Sequence, residues 1–175
     1  NPTTVPASYL ETDCTPQDSC RPVAGSQKKL MTSDNWRKRQ IIKPLDCVFC
    51  TKQETNHHLF FDCVVARNIW SFVNLFFQKN LGTNFESVAR LWISNKKNLV
   101  LNVVSSAVLW CLWKYRNSII FNNTIWTSII QVRILILITL KFWATLSPEG
   151  GKTRLKEFLT VLATFLQQPL QITGG

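Results

Sequence analysis

Acidic residues are scarce in this sequence. Ten Asp and Glu residues are scattered over 175 positions, and no two aspartates are adjacent. A two-metal centre for phosphoryl transfer needs carboxylates clustered around the ions. The six glycines form no phosphate-binding loop, and no Ser/His/Asp set stands out. We therefore predict that the chain is not an enzyme and takes no small-molecule substrate.

Long hydrophobic runs are also absent. The longest uncharged runs, residues 99–113 and 117–132, are shorter than the roughly 20 residues that a transmembrane helix needs. The first 27 residues are polar and rich in Pro, Ser and Thr, without the apolar stretch of a secretory signal. The sequence therefore predicts no membrane span and an intracellular protein, with the nucleus as the favoured location.

Basic and apolar residues are plentiful instead. Twenty Lys and Arg residues give a net charge of +10, which attracts polyanions such as nucleic acid. The basic residues at 37–39, at 43 and beside the cysteine segment are candidate phosphate contacts, and the alternative is a solvated basic surface. These candidates are Arg37, Lys38, Arg39, Lys43, Lys52 and Arg67. Trp36 could stack on a base or pack in a core.

The chain divides by composition into four segments. Residues 1–27 are predicted to be a flexible leader, and residues 28–63 a basic collar followed by a zinc knuckle. Residues 64–167 are predicted to be a helical domain, and residues 168–175 a tail. With 46% hydrophobic residues and seven tryptophans, the helical domain can bury a core.

Apolar residues recur at spacings of three and four along most of the chain, which predicts an all-α bundle of five or six helices. The predicted helices cover residues 34–41, 64–79, 86–93, 99–121, 125–146 and 153–167. Breaks are expected at Leu81–Asn84 and at Ser147–Gly151. In the helix over 99–121, we expect six polar residues on the solvent side: Asn102, Ser105, Ser106, Lys114, Arg116 and Asn117.

Six cysteines lie at positions 14, 20, 47, 50, 63 and 111. In a reducing compartment clustered cysteines indicate metal ligands rather than disulfides. Cys14 and Cys20 match no common ligand spacing, so we interpret them as incidental thiols. Cys47 and Cys50 form the C-x2-C half-site of structural zinc.

The second half of the predicted site comes from a histidine and Cys63. With His58 the pattern is C-x2-C-x7-H-x4-C, and three thiolates and one imidazole would close a tetrahedral site. A closed site has no open position for substrate, so one structural Zn²⁺ is predicted. His57 is an equally placed rival, and spacing alone does not choose between the two histidines.

Several motifs together resemble the C-terminal zinc-binding domain of plant non-LTR (LINE-like) retrotransposon reverse transcriptases. They are DNWRKRQ, then CVFCTKQETNHHLFFDCVVARNIW, then LWCLWKYRNSIIFNN, and they run from about residue 29 to residue 121. The resemblance implies His58 as the fourth ligand, because the family histidine precedes a leucine. It also implies a nucleic-acid-binding role downstream of a polymerase domain. We expect RNA or single-stranded DNA as the partner, because the sequence shows no obvious helix for reading the major groove of a duplex.

A second hypothesis assigns the chain a structural role. The many Trp and Phe residues after position 64 could form a surface that docks on a polymerase body or on another copy of the chain. The chain would then be a non-catalytic interaction relic of a retroelement.

Overall fold

The computed structural model describes residues 46–92, 98–146 and 149–167. Over these ranges the chain forms a π-helical turn, His58–Asp62, and five α-helices. The helices are α1 (Val64–Phe77), α2 (Phe85–Trp92), α3 (Leu99–Asn122), α4 (Ile129–Leu146) and α5 (Glu149–Gln167). The described residues contain no β-strand, only an isolated antiparallel bridge between Asp46 and Gln53.

This architecture confirms the predicted all-α fold of five or six helices, with the cysteine and histidine residues near its N-terminal side. The predicted leader, most of the basic collar, the helix over 34–41 and the tail lie outside the described residues. The division into four segments therefore stays a prediction.

Helix α3 lies at the centre of the molecule. It packs against α4, α2, α5 and the π-helical turn, and it buries residues on several of its faces, as a helix that is apolar nearly all round must. Its buried apolar residues are Leu101, Val104, Ala107, Val108, Leu109, Cys111 and Leu112. Helix α4 in turn packs against α5, so α3, α4 and α5 enclose the core away from the cysteine residues.

The prediction of a polar solvent side on α3 is wrong for three residues. Ser105, Arg116 and Asn117 are buried, with exposed fractions of 2%, 0% and 9%. Ser105 Oγ donates to the Leu101 carbonyl, and Arg116 is paired with a distant carboxylate. A buried polar group is stable where its hydrogen bonds are made inside the protein, and helical periodicity alone cannot show that.

Two helix starts differ from the predicted ones by four residues, and the other described boundaries differ by at most two. Helix α4 begins at Ile129 rather than at residue 125, because Trp126 packs its ring on Phe49 instead of continuing a helix. Helix α5 begins at Glu149, so Gly150 and Gly151 belong to its first turn and not to the predicted break. Gly151 is buried, and a Cβ placed there would lie 3.4 Å from the side chains of Leu99 and Val100, an ordinary contact distance between α5 and α3.

The predicted break after α1 is confirmed, and Gly82 explains it. Gly82 has a φ of +75°, and a Cβ placed there would lie 2.1 Å from Trp70 Cγ. The loop therefore passes directly over the Trp70 ring, and only glycine fits at this point. Trp70 Nε1 donates to the Phe60 carbonyl at 2.8 Å, which ties the start of the helical body to the π-helical turn.

Helix α4 leaves an apolar stripe in solvent. Ile134, Ile138, Phe142 and Leu146 follow each other at intervals of four and are 42–63% exposed. Among the described residues, α4 alone has the length and apolarity of a membrane span, and 33% of it is buried inside the protein. A core helix of a soluble protein meets the same criterion, so the absence of a membrane span stays a prediction.

Candidate metal centre

The first ligand pair sits in a tight turn. The Cys50 N–H donates to the Cys47 carbonyl at 3.2 Å, and the Cys47 N–H donates to the Lys52 carbonyl at 2.8 Å. The Cys63 sulfur and burial raise the pKa of the Cys47 thiol, and the backbone N–H groups of Phe49 and Cys50 partly oppose this rise. Backbone donors around a sulfur stabilise the thiolate, which is the form that binds metal.

The second ligand pair is separated by a π-helical turn. In an α-helix, with about 3.6 residues per turn, residues five apart point to different sides. Here the Cys63 N–H donates to the carbonyl of His58, five residues earlier, at 2.7 Å. The wider π turn brings His58 and Cys63 to the same side, which explains how the H-x4-C spacing can serve one ion.

The π-helical turn has its own local cap. Thr55 Oγ1 accepts a hydrogen bond from the His58 N–H at 2.9 Å. A threonine that accepts from a backbone N–H three residues later satisfies one of the free donors of a helical start. Thr55 thus fixes the backbone from which the His58 side chain projects.

Cys47, Cys50, His58 and Cys63 come together in one cluster. Their four ligand atoms all lie within 4.8 Å of one another. The Cys47 and Cys63 sulfurs are 3.8 Å apart, the Cys50 and Cys63 sulfurs 4.0 Å, and Cys50 Sγ lies 3.2 Å from His58 Nε2. Tetrahedral zinc with Zn–S bonds of about 2.3 Å places two sulfurs about 3.8 Å apart. The donor set and the spacing therefore fit one zinc ion.

Hydrogen bonding and burial shift the pKa values of the cluster residues. The hydrogen bond between the two sulfurs lowers the pKa of Cys63, and the same bond, together with burial, raises the pKa of Cys47. Metal binding would therefore displace a proton from Cys47. Burial lowers the pKa of His58, which favours the neutral imidazole that ligates metal.

His57 points away from the cluster. Its Nδ1 lies 2.8 Å from the Asp62 carboxylate, and its Nε2 donates to the Thr83 carbonyl at 3.0 Å. Both ring nitrogens are therefore engaged at the surface, between the π-helical turn and the loop after α1. The geometry selects His58 as the fourth member, in agreement with the implied ligand.

A comparison with known families identifies the segment. Residues 21–70 match the family model described as zinc-binding in reverse transcriptase. The matched segment contains all four cluster residues, so the cofactor of the cluster is zinc. No curated protein and no solved structure matches the chain. The family match ends at Trp70, and α2 to α5 lie beyond it.

Two of the six predicted phosphate contacts lie in the described residues. Lys52 and Arg67 are both exposed. The Lys52 carbonyl accepts a hydrogen bond from the Cys47 N–H at 2.8 Å, and the Arg67 N–H donates to the Cys63 carbonyl at 2.8 Å, so both cations lie beside residues of the zinc site. Arg37, Lys38, Arg39 and Lys43 lie outside the described residues.

A buried ion pair joins the zinc segment, residues 47–63, to α3. This pair was not predicted from the sequence. The Arg116 guanidinium binds the Glu54 carboxylate with two hydrogen bonds, of 3.1 Å and 2.7 Å, and both side chains are 0% exposed. Arg116 also donates to Asn117 Oδ1 at 3.0 Å. The only available signal was that both residues belong to motifs of the resemblance, Glu54 to the cysteine segment and Arg116 to LWCLWKYRNSIIFNN.

An aromatic contact lies on the same side of the zinc segment. Phe49, between Cys47 and Cys50, packs edge to face on Trp126 at 4.9 Å between ring centroids and lies 6.3 Å from the Tyr115 ring.

The remaining described cysteine, Cys111, is buried in α3 and donates to Thr139 Oγ1, and burial raises the pKa of its thiol to about 12. Cys111 is therefore a core residue and not a metal ligand.

Proposed function

We propose that the chain is a zinc-stabilised nucleic-acid-binding domain that accompanies the reverse transcriptase of a plant non-LTR retroelement. The observation that carries this proposal is the position of Lys52 and Arg67, which are exposed beside a zinc site whose own ligands face inward. A rigid zinc knuckle flanked by exposed cations can present these cations to phosphates at low cost in entropy. The match to a zinc-binding segment of reverse transcriptase supports a nucleic-acid partner.

The zinc in this proposal is structural. Three thiolates and one imidazole complete its coordination and leave no position for a substrate or an attacking water. The chain then contributes binding rather than polymerisation, and catalysis would belong to a polymerase domain of the parent element. The partner is RNA or single-stranded DNA, and the location is intracellular and nuclear, where an element is copied into the genome.

A salt titration tests the proposal. Binding of a fluorescent single-stranded RNA is measured by anisotropy at several salt concentrations for the wild type and for Lys52→Gln/Arg67→Gln. Loss of two phosphate contacts should reduce the slope of log K against log salt by roughly 1.4, because single strands release roughly 0.7 counterion per contact.

The matched control is Arg154→Gln/Lys156→Gln, which removes two exposed charges from α5. Arg154 lies over the Phe76 ring near the other end of α1, away from Arg67.

The variant Arg37→Gln/Lys38→Gln/Arg39→Gln tests the predicted phosphate contacts of the basic collar in the same assay. A wild-type slope in both the knuckle and the collar variants would refute this binding surface.

A second candidate function is self-association through the α4 stripe. Residues four apart form a ridge, and two such ridges can pack into each other around a two-fold axis. Together, Ile134, Ile138, Phe142 and Leu146 expose on the order of 400 Å², which approaches the half-interface of a small specific dimer. The occupant of the stripe would be a second copy of the chain.

Light scattering after size exclusion separates the two candidates. A dimer that Phe142→Lys dissociates would support self-association, with Leu75→Lys, an exposed apolar residue on α1 and outside the stripe, as control. A monomer at all concentrations that binds RNA would support the nucleic-acid function alone.

A further inference from the structure

The ion pair between Glu54 and Arg116 crosses a large distance in the sequence. The two residues are 62 positions apart, and both oxygens of the carboxylate are held by the guanidinium. Both side chains are excluded from solvent. A bidentate arginine–carboxylate pair fixes the relative position of the two backbones that carry it, because the planar fork tolerates little displacement.

Glu54 lies between the two ligand pairs of the zinc segment. It lies midway between Cys50 and His58, in a stretch of the chain without regular secondary structure. The next residue, Thr55, caps the π-helical turn through the N–H of His58. The position of Glu54 therefore sets where the second ligand pair begins relative to the first.

The first ligand pair is anchored to the same side of α3. Phe49 lies between the two cysteines and contacts Tyr115, the immediate neighbour of Arg116. Both halves of the metal site thus rest on one turn of α3, the first through an aromatic contact and the second through the ion pair.

We infer that Arg116 is a positioning residue of the zinc site and that α3 is part of the zinc-binding unit, although it lies outside the matched segment. By holding Glu54, Arg116 presets the seven-residue connection between the ligand pairs. A preset connection raises metal affinity, since less chain must be ordered when the ion binds. This inference rests on zinc binding alone and holds whether or not the chain binds nucleic acid.

Zinc affinity of the full chain tests the inference. Competition with a chromophoric chelator gives the affinity of the wild type, Arg116→Met, Arg116→Lys and Glu54→Gln. We expect Arg116→Met to bind zinc about tenfold more weakly or worse, the loss seen when the supporting partners of metal ligands are removed. Arg116→Lys should fall between, because an ammonium cannot reproduce the two-pronged contact.

A second readout distinguishes positioning from general support of the fold. Cobalt substituted for zinc reports the symmetry of the site through its absorption bands, while far-ultraviolet circular dichroism reports the helices. We expect altered cobalt bands in Arg116→Lys and Glu54→Gln at wild-type helix content. These two milder variants carry the test where Arg116→Met does not fold.

The control is Arg154→Met, which removes an arginine from an exposed ion pair with Glu157 on α5. It should leave both zinc affinity and cobalt bands unchanged. Zinc affinities within twofold of the wild type for Arg116→Lys and Glu54→Gln, with unchanged cobalt bands, would overturn the inference.

Discussion

Two arginines are buried in the helical body, and they are held in different ways. Arg116, on α3, is paired with the Glu54 carboxylate of the zinc segment. Arg133, on α4, is 2% exposed, and it donates hydrogen bonds to neutral groups. Its guanidinium donates to Asn68 Oδ1 at 2.7 Å and to the Phe165 carbonyl at 3.5 Å, and it lies 3.9 Å from the centre of the Phe165 ring.

The difference separates two regions of the molecule. At the zinc end, two opposite charges pair with each other, and removal of either one takes a buried counter-charge from the other. At the end where α1, α4 and α5 meet, Arg133 retains a desolvation cost. Burial lowers the pKa of its guanidinium, and its Nε has no hydrogen-bond partner among the described residues. The zinc end thus depends on a few specific partners, whereas the other end depends on apolar packing.

Removal of zinc should have the largest effect and should separate the two regions most clearly. A structural zinc contributes about 10–16 kcal/mol of apparent binding free energy in small domains near neutral pH. With a strong chelator present, amide hydrogen exchange should accelerate over residues 46–63, while the buried residues of α3, α4 and α5 stay protected. Mass spectrometry of exchanged peptides measures both.

Metal analysis of the purified chain provides the control for this experiment. Cys47→Ser and Cys63→Ser should lose zinc, and Cys111→Ser should retain it, because Cys111 lies outside the cluster. Less than about half an equivalent of zinc in the folded wild type, measured against the single ion that the cluster can hold, would contradict the assignment.

Arg116→Met should have the next largest effect. Removal of one partner of a buried ion pair costs about 3–5 kcal/mol, because the other charge stays buried and loses its counter-charge. Urea denaturation at saturating zinc should show this loss in the free energy of unfolding. An exposed pair such as Arg154 with Glu157 is worth less than about 1 kcal/mol, so Arg154→Met serves as the reference.

Arg133→Met should have the smallest effect, within about 1 kcal/mol of the wild type in the same urea measurement. The substitution removes a buried charge with its desolvation cost and leaves no carboxylate unpaired, while Asn68 is partly exposed and can bond to water. A loss as large as that of Arg116→Met would show that neutral partners compensate a buried arginine as well as Glu54 does.

The ligand set of the zinc site was predictable from local sequence. Cys47 and Cys50 form a half-site by spacing alone, and all four ligands lie within 17 residues, from Cys47 to Cys63. The choice of His58 over His57 came from the resemblance, since two adjacent histidines have equivalent spacing. The structure shows the physical reason: the π-helical turn directs His58 inward, while Asp62 and the Thr83 carbonyl hold His57 at the surface.

The burial of Arg116 could not be predicted from the same kind of reasoning. Its charge and its place in the helical pattern favoured the solvent side, and its partner lies 62 residues away. The start of α4 was missed for a related reason, because Trp126 is drawn to Phe49, a residue far from it in the chain.

The sequence by itself determined the helical class, most helix boundaries and the three cysteine ligands of zinc, because these depend on periodicity and spacing between near neighbours. Only the tertiary structure decided that the zinc segment rests on α3 through Glu54 and Phe49. Such contacts follow from which distant surfaces meet when the core closes, and a buried charge is tolerated only where that closure supplies its partner.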